Sequence, residues 1–216
     1  MLLFIMLIDH KEIQTILANA NIPISGVLHV GAHDCEELGF YTNWGVSSNN
    51  IIWIDAISEK VEQAKSRGIP NVYRAVITDK DDVIVTFNIS NNVQSSSILN
   101  LKTHLQEHPS VHYVSSTRET SVTIDTFFKR NNLDPAKYSF WNLDIQGAEL
   151  LALTGASESI AYATALYLEV NEKELYEGCA LIGQLDTFLS KYGFARIKTY
   201  MTHHGWGDAL YIKKSS

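Results

Sequence analysis

The sequence predicts an α/β protein with a mostly parallel sheet, helices on both faces and an antiparallel hairpin at the C-terminal end. Short apolar runs of strand character alternate with segments of helical spacing along most of the chain. The last two apolar runs are joined only by His203–Asp208, which is too short for the crossover between parallel strands. Repeated strand–helix units give right-handed crossovers and place ligands at the carboxyl ends of the strands.

The elements follow from this alternation. The first strand runs into Gly31–Asp34 and then into a helical pattern, and Ser58 is expected to cap the third helix. The predicted strands are Val27–Val30, Ile51–Ile54, Asn71–Ile77, Val83–Ile89, Tyr138–Leu143, Ala165–Val170, Ala195–Tyr200 and Ala209–Lys213. The predicted helices are Ile8–Ala20, Glu36–Trp44, Ser58–Arg67, Glu149–Leu153 and Leu181–Lys191.

The domain organisation is simple, because no repeat, linker or low-complexity run interrupts the pattern. Residues 1–216 are predicted to form one domain, with an N-terminal helix within residues 1–25. Residues 88–118 lack regular alternation and are interpreted as a segment that covers the site and selects the substrate. Leu2–Ile8 is interpreted as the buried start of the first helix. Its apolar run is too short for a membrane span, although a short surface anchor stays open.

Composition excludes several classes of protein. Hydrophobic residues make up 45% of the chain and charged residues 19%, which excludes a disordered chain. The 24 acidic residues outnumber the 17 Lys and Arg residues, and the net charge of -7 argues against nucleic-acid binding. The two cysteines form no CxxC or metal-finger spacing, so a reducing, cytoplasmic location is expected. Oligomeric state is not fixed by the sequence, and a homodimer stays open.

Polar residues stand at the ends of four predicted strands. They are Gly31–Asp34, Asp55, Asp144 and the Glu169–Asn171 stretch, and all four should open on one edge of the sheet. The loop after the first strand holds one glycine where a dinucleotide fingerprint has three. Its acidic residues would also repel a pyrophosphate, so NAD and ATP are disfavoured, whereas the cationic and phosphate-free S-adenosylmethionine suits the loop.

Two of these acidic positions have structural alternatives. Asp34 with Glu37 also fits a capping box at the start of the second helix. Asp55 is placed to accept the two ribose hydroxyls of a nucleoside, but its spacing equally fits a cap for the next helix. His33 either orders the loop or contacts the cofactor or acceptor.

Several further pieces of the sequence, in order, resemble the FkbM family of S-adenosylmethionine-dependent methyltransferases. The similarity extends over roughly residues 26–213. The matching pieces are Leu28-His29-Val30-Gly31-Ala32-His33 with Glu36-Glu37, Ile52-Trp53-Ile54-Asp55-Ala56, Ala75-Val76-Ile77-Thr78-Asp79, Ser95-Ser96-Ser97-Ile98-Leu99, Val122-Thr123-Ile124-Asp125, Leu143-Asp144-Ile145-Gln146-Gly147-Ala148-Glu149-Leu150 and Leu168-Glu169-Val170.

The resemblance implies a Rossmann-like class I methyltransferase fold, whose seven-stranded sheet has an antiparallel last strand. It also implies methyl transfer from S-adenosylmethionine to a hydroxyl, commonly of a saccharide or another small molecule. The cofactor positions implied by the family are the loop residues Gly31, Ala32 and His33, the ribose ligand Asp55 with Ala56, the adenine neighbours Ala75 and Val76, and Ser96 with Asp144 near the methionine end.

The chain departs from the family pattern at three positions. Cys35 stands where the family usually has glycine, Asp55 where it often has glutamate, and Gln146 where its Asp-x-Glu-Gly motif has glutamate. Cys35 keeps a small side chain, and Asp55 keeps an acceptor for the ribose hydroxyls. The loss of a carboxylate at Gln146 leaves a second hypothesis open, a methyltransferase-fold binding protein with altered or lost activity.

The predicted catalytic residues are Asp144, Glu149 and Glu169, because an alcohol needs a base to take its proton during methyl transfer. Asp144 is the first candidate for base or cofactor anchor. The alternative for Glu149 is a favourable charge at the start of its own helix.

The histidines suggest a substrate site. His203, His204 and Trp206 in the hairpin connection are predicted to line an acceptor pocket, where Trp206 can stack on a sugar; an exposed loop is the alternative. His104, His108 and His112 are spaced to share one helical face, but Pro109 interrupts that helix, so no metal site is predicted.

Overall fold

The computed structural model describes residues 6–214 and contains a central sheet of seven strands. All strands are given in chain order: β1 Val27–Val30, β2 Ile51–Asp55, β3 Val72–Arg74, β4 Val76–Ile77, β5 Ile84–Ser90, β6 Tyr113–Val122, β7 Phe140–Leu143, β8 Ala165–Asn171, β9 Phe194–Met201 and β10 Trp206–Lys213. The helices are α1 His10–Asn19, α2 Leu38–Asn43, α3 Ser58–Ser66, α4 His104–Glu107, α5 Ile124–Arg130, α6 Glu149–Thr154 and α7 Ile182–Ser190.

The order of strands in the main sheet is β3-β2-β1-β7-β8-β10-β9. Strands β3, β2, β1, β7 and β8 are parallel, and β10 lies antiparallel between β8 and β9. This order confirms the predicted seven-stranded class I methyltransferase architecture. The order reverses between β1 and β7, so the crevice above their carboxyl ends is the expected ligand site of such a sheet.

The sheet is buried on both faces by helices. Its central strands read as continuous β-branched and aromatic runs, such as the fully buried β2, as parallel strands covered on both sides do. On one face Trp53 packs with Tyr41 of α2 and with residues of α1 and α3. On the other face Trp141 packs with Phe128 of α5 and with residues of α6 and α7. Each fully buried large side chain contributes roughly 1.5–3 kcal/mol.

A second, three-stranded sheet departs from the prediction. The expected single strand Asn71–Ile77 is interrupted at Ala75: β3 extends the main sheet, whereas β4 leaves it and pairs with β6. β6 in turn pairs antiparallel with β5. Part of the irregular segment 88–118 is therefore a long strand, which its polar composition hid from the sequence analysis.

The N-terminal prediction needs correction. The first helix begins at His10, where Asp9 Oδ1 accepts from the N–H groups of Lys11 and Glu12 at 2.9 and 3.2 Å. Residues 6–8 are not helical, although Ile8 is buried as expected. The remainder of the expected helix start, residues 2–5, lies outside the described part of the chain. Within residues 6–214, no helix is both long enough and apolar enough to cross a bilayer.

Candidate active site

The loop after β1 is held against the second strand by its own backbone. The N–H groups of Gly31 and Ala32 both donate to the carbonyl of Ile54, at 2.9 and 3.0 Å. The next N–H, of His33, donates to Asp55 Oδ2 at 2.7 Å, and that of Asp34 donates to Glu36 at 3.1 Å. All four successive N–H groups therefore already have protein acceptors.

The acidic residues of this loop do not form the capping box that the sequence suggested. Helix α2 begins later than predicted, at Leu38, and its N-cap is Glu37, which makes no side-chain cap hydrogen bond. Asp34 instead forms an ion pair with Lys60 at 3.0 Å, while Glu36 Oε1 accepts a hydrogen bond from His33 Nδ1 at 2.8 Å. His33 thus orders the loop, one of the two roles considered for it.

Asp55 has the dual position that its spacing suggested. Its Oδ1 accepts from the Ile57 N–H at 2.7 Å, so it supports the start of α3, and Ser58 is not the cap. Asp55 also lines a first cleft of about 600 Å³ above the ends of β1 and β2. Burial raises the pKa of its carboxyl group. Each carboxylate oxygen accepts one backbone N–H and has the capacity for a second hydrogen bond.

The first cleft has an apolar wall next to Asp55. This wall includes three of the predicted cofactor positions, Ala56, Ala75 and Val76, together with residues of the second sheet. Its lining residues are Ala56, Ile57, Ala75, Val76, Ile77, Phe87, Val93 and Ile98, with the polar Gln94 and Ser96 beside them. Gly31 and His33 also line the first cleft, whereas Ala32 lines a second one.

The second cleft, of about 930 Å³, adjoins the first and shares Gly31, His33, Gln94, Asp144 and Gln146 with it. Its other walls come from the start of α2, from residues of the 88–118 segment and from the C-terminal half of the sheet. Glu37, His104, His108, Glu169, Tyr176 and Trp206 are among them. The two clefts together form one groove across the switch point of the sheet, which is the place between β1 and β7 where the strand order reverses.

Gln146 links two of the predicted catalytic carboxylates. Its Nε2 donates to Asp144 Oδ1 at 2.6 Å and to Glu169 Oε2. Its Oε1 accepts from the Tyr176 hydroxyl at 2.7 Å. A glutamate at this position would offer no N–H donor to its acidic neighbours. The departure from the family pattern therefore gives this cluster a neutral bridge.

The third predicted catalytic residue, Glu149, has a different location. Its side chain is 2% exposed, and its Oε1 accepts from the N–H groups of Ile145 and Gly147 at 2.9 and 3.2 Å. It is not among the residues that line either cleft. Glu149 thus holds the turn that carries Asp144 and Gln146 at the start of its own helix, and it does so by accepting hydrogen bonds.

Four buried carboxyl groups near this groove have raised pKa values, with burial as the main cause. The pKa values of Glu37 and Glu149 rise to about 8 and that of Asp208 to about 7, and the pKa of Glu169 also lies well above its usual range. Neighbouring carboxylates add to each shift. In the folded protein these groups favour the protonated form.

The free energy of unfolding is therefore expected to fall as the pH rises from about 5 to 8. These acids ionise near pH 4 when unfolded, so the stability they contribute is complete below that pH and is lost as the pH approaches the folded values of about 7 to 8. In Asp208→Asn the slope should be shallower by up to about 1.4 kcal/mol per pH unit below pH 7. Urea unfolding at a series of pH values measures both slopes, and equal slopes would contradict the assignment to Asp208.

The hairpin residues predicted to bind the acceptor divide into two groups. Strand β10 begins at Trp206, so Trp206 lies in a strand rather than in the connection, and it lines the second cleft. The rings of His203 and His204 lie close together in the turn, with centroids 3.7 Å apart and planes tilted by 42°, and neither residue is among those lining that cleft. His204 Nδ1 contacts Glu107 at 3.0 Å.

The helix expected to align His104, His108 and His112 is a single turn, α4, which ends before His108. His104 and His108 line the second cleft and their rings lie 4.9 Å apart, while His112 is not among its lining residues. Among the described residues, His33, Asp34 and Glu36 are the group whose potential ligand atoms lie close enough together for a metal ion. Lys60 already occupies Asp34 as an ion-pair partner.

Some residues in the groove or beside it were not predicted from the sequence. Tyr176 follows β8 in a stretch without regular pattern, and no local signal marks it. Asp208 was assigned to the hairpin connection, but it pairs with Glu169 across β10 and β8. Extending the antiparallel register of the hairpin toward β8 would have placed it beside the predicted catalytic residues.

Comparisons with known proteins give a family and several similar folds. A model of the methyltransferase FkbM domain matches residues 29–195. A search of curated proteins found no match. Similar solved structures include magnesium protoporphyrin IX methyltransferase from Synechocystis with bound SAM, at 13% identity and a TM-score of 0.47, covering 95% of this chain and 78% of that one.

Two further solved structures are similar at the same level. One is a SAM-dependent methyltransferase from Aquifex aeolicus, with 13% identity, a TM-score of 0.44 and coverage of 94% of this chain and 89% of that one. The other is an O-methyltransferase from Bacillus cereus in complex with SAH, with 11% identity, a TM-score of 0.48 and coverage of 97% and 82%. The family model spans well over half of the 216 residues, and the chain therefore belongs to the FkbM methyltransferase family.

Proposed function

We propose that this protein is an S-adenosylmethionine-dependent O-methyltransferase that acts on a hydroxyl of a saccharide or a sugar-containing small molecule. The observation that carries the proposal is the groove across the switch point. One half has an apolar wall and the buried Asp55, and the other half has a cluster of carboxyl groups around Asp144. This division matches a nucleoside at one end and a reacting polar group at the other.

The chemistry of the first cleft fits a cofactor without phosphate. The four N–H groups of Gly31–Asp34 already have protein acceptors, so no bare donors remain there for a pyrophosphate. No Lys or Arg is among the described residues that line this cleft. Both observations support S-adenosylmethionine over NAD or ATP.

The residues proposed to hold the cofactor follow the two halves of the groove. Asp55 would accept the ribose hydroxyls, and Ala56, Ala75 and Val76 would contact the adenine. Gly31, Ala32, His33, Ser96 and Asp144 would surround the methionine end. When bound, the cofactor supplies the electrophilic methyl group.

The chain's own residues would position the acceptor and take its proton. Asp144 is exposed where the two clefts meet, so it can reach a hydroxyl held in the second cleft. The Gln146 amide fixes Asp144 beside Glu169, and the buried Glu169 favours its protonated form. Trp206 lines the same cleft, where its indole would contact a sugar ring. We accordingly assign Asp144 as the base and Gln146 as a positioning residue.

Calorimetric titration with S-adenosylmethionine and its demethylated product tests the proposal. We expect the wild type to bind both and Asp55→Ala to bind at least about a hundredfold more weakly, since two hydrogen bonds to a buried charged group would be lost. Asp125→Ala is the matched control. Asp125 is as buried as Asp55 and likewise accepts from two backbone N–H groups, but it lies at α5 outside the clefts.

The titration and a methyl-transfer assay together separate the two hypotheses that Gln146 leaves open, an enzyme and a binding protein. Cofactor binding followed by methyl transfer to a sugar hydroxyl would support the enzyme, whereas binding without turnover across an acceptor panel would favour a binding protein. Equal loss of binding in Asp55→Ala and Asp125→Ala would show that the effect is structural. A wild type that binds neither ligand would contradict the proposal.

A further inference from the structure

A small acidic pocket lies beside the second cleft, on the α1–α3 side of the sheet. It shares Glu37, Asp144, Glu169 and Trp206 with that cleft. Its remaining lining residues are Met6, Leu7, Asn142, Tyr167 and Asp208. Four of these nine residues carry carboxyl groups, and none is Lys, Arg or His.

Three of the four carboxyl groups form a row across neighbouring strands. Asp208 of β10 is the register partner of Glu169 on β8, and Asp144 follows Leu143, whose partner Leu168 precedes Glu169. These carboxyl groups repel one another when they are ionised, so the row favours protonated acids unless a cation lies close by. The fourth group, Glu37, is buried at the start of α2.

The carboxyl groups of the row receive few hydrogen bonds from the protein. Asp208 Oδ2 accepts from the Leu7 N–H at 2.7 Å and from the Tyr167 hydroxyl. The Gln146 amide serves Asp144 and Glu169. Several carboxyl oxygens are therefore left to face the pocket with acceptor capacity.

The side chain of Asn142 independently indicates that the pocket binds a hydrogen-bond donor. Burial lowers the pKa of His29 to about 3, so its ring is neutral and Nδ1 can accept from the Tyr41 hydroxyl at 3.1 Å. The Tyr41 oxygen then accepts from Asn142 Nδ2 at 2.8 Å, which fixes the orientation of the amide. Among residues 6–214 nothing donates to Asn142 Oδ1, although the side chain is only 2% exposed and lines the pocket.

A compact organic cation fits this arrangement better than a metal ion. The ligand atoms of these carboxyl groups are not among those that converge as a metal site in the described part of the chain. A primary ammonium group instead carries a positive charge and three N–H donors in different directions. Its N–H groups suit the buried Asn142 Oδ1 and the carboxyl groups that line the same pocket.

We propose that the acidic pocket binds a protonated primary amine of the methyl acceptor, which makes the acceptor an amino sugar or a related amino alcohol. The inference rests on the proposed function, because it assigns the acceptor of the same groove. The pocket and the second cleft share Asp144 and Glu169, so an ammonium group in the pocket leaves a neighbouring hydroxyl of the same molecule beside the proposed base.

Calorimetric titration with glucosamine and with N-acetylglucosamine tests this, since acetylation removes the charge but keeps the ring. At a pH of about 6.5, below the pKa of amino groups, we expect glucosamine to bind wild type at least about tenfold more tightly. Asp208→Asn and Glu37→Gln should each lose that preference, and Asp125→Asn should keep it. Repeating the titration in buffers of different ionisation enthalpy should reveal proton release from the buried acids.

Three results would overturn the inference: equal affinity for the two sugars at millimolar concentration, a preference unchanged in both acidic-pocket variants, or competition by potassium chloride strong enough to show that a free monovalent cation fills the pocket. The titrations are done with and without S-adenosylmethionine. An amine preference in a protein that does not bind the cofactor would count against the proposed function alone, whereas cofactor binding without the preference would count against this inference alone.

Discussion

Replacing Gly31 by alanine is expected to lower the free energy of unfolding by about 3 kcal/mol or more. A Cβ at this position would lie 1.8 Å from the carbonyl oxygen of Asp144, and the residue has a φ of +90°. The clash would push the end of β1 away from β7 and displace the turn that carries Asp144. Chemical denaturation measures the loss, and cofactor titration of the folded fraction should show weakened binding.

Gly39→Ala is the matched control for this prediction. Gly39 lies inside α2, where a Cβ would meet nothing within 4 Å, and it has no positive φ. There, alanine should stabilise the protein by about 0.5–1 kcal/mol. An unchanged stability of Gly31→Ala beside a stabilised Gly39→Ala would contradict the close approach of β1 and Asp144.

Replacing Asp144 by asparagine is expected to lower kcat by about a hundredfold to ten-thousandfold, because the amide keeps the shape of the side chain but cannot take the proton of the acceptor. The Gln146 hydrogen bond can still reach the remaining Oδ1, so the turn should stay in place. The measurement is the steady-state rate with S-adenosylmethionine and an acceptor identified by the panel, together with the affinity for the cofactor.

The two parameters separate the roles considered for Asp144. A base gives a fall in kcat with little change in cofactor affinity, while a cofactor anchor gives mainly weaker binding of S-adenosylmethionine. Glu172→Gln is the control, since Glu172 is an exposed acid just beyond β8 on the same edge and lines none of the three cavities. Wild-type kinetics in Asp144→Asn would remove Asp144 from the mechanism.

Most of the main sheet could be predicted from the sequence, because its strands are buried on both faces and read as apolar runs. Strand β1 has the predicted bounds, and β2 and β8 each extend one residue further. The second sheet could be predicted only in part. Strand β6 is mostly exposed and polar, and the change of sheet at Ala75 depends on a partner that lies more than forty residues further on.

The candidate site was predictable where it depends on strand ends. Asp55, Asp144 and Glu169 lie along the groove because parallel strands deliver their last residues to one edge. Side chains placed by long-range contacts were not predictable. The buried position of Glu149 and the Gln146 bridge arise from a tight turn with a positive φ at Gln146, which a polar sequence does not reveal.

Strand β1 acquires its second neighbour late in synthesis. Val27 pairs with Ile51 on one side, but with Phe140 on the other, more than a hundred residues further along the chain. At about 5–20 residues per second, the ribosome leaves that edge of β1 without its partner for roughly 5–20 s. An apolar strand edge open for this time is prone to pair with other chains. The nascent N-terminal half should therefore depend on chaperones until β7 emerges.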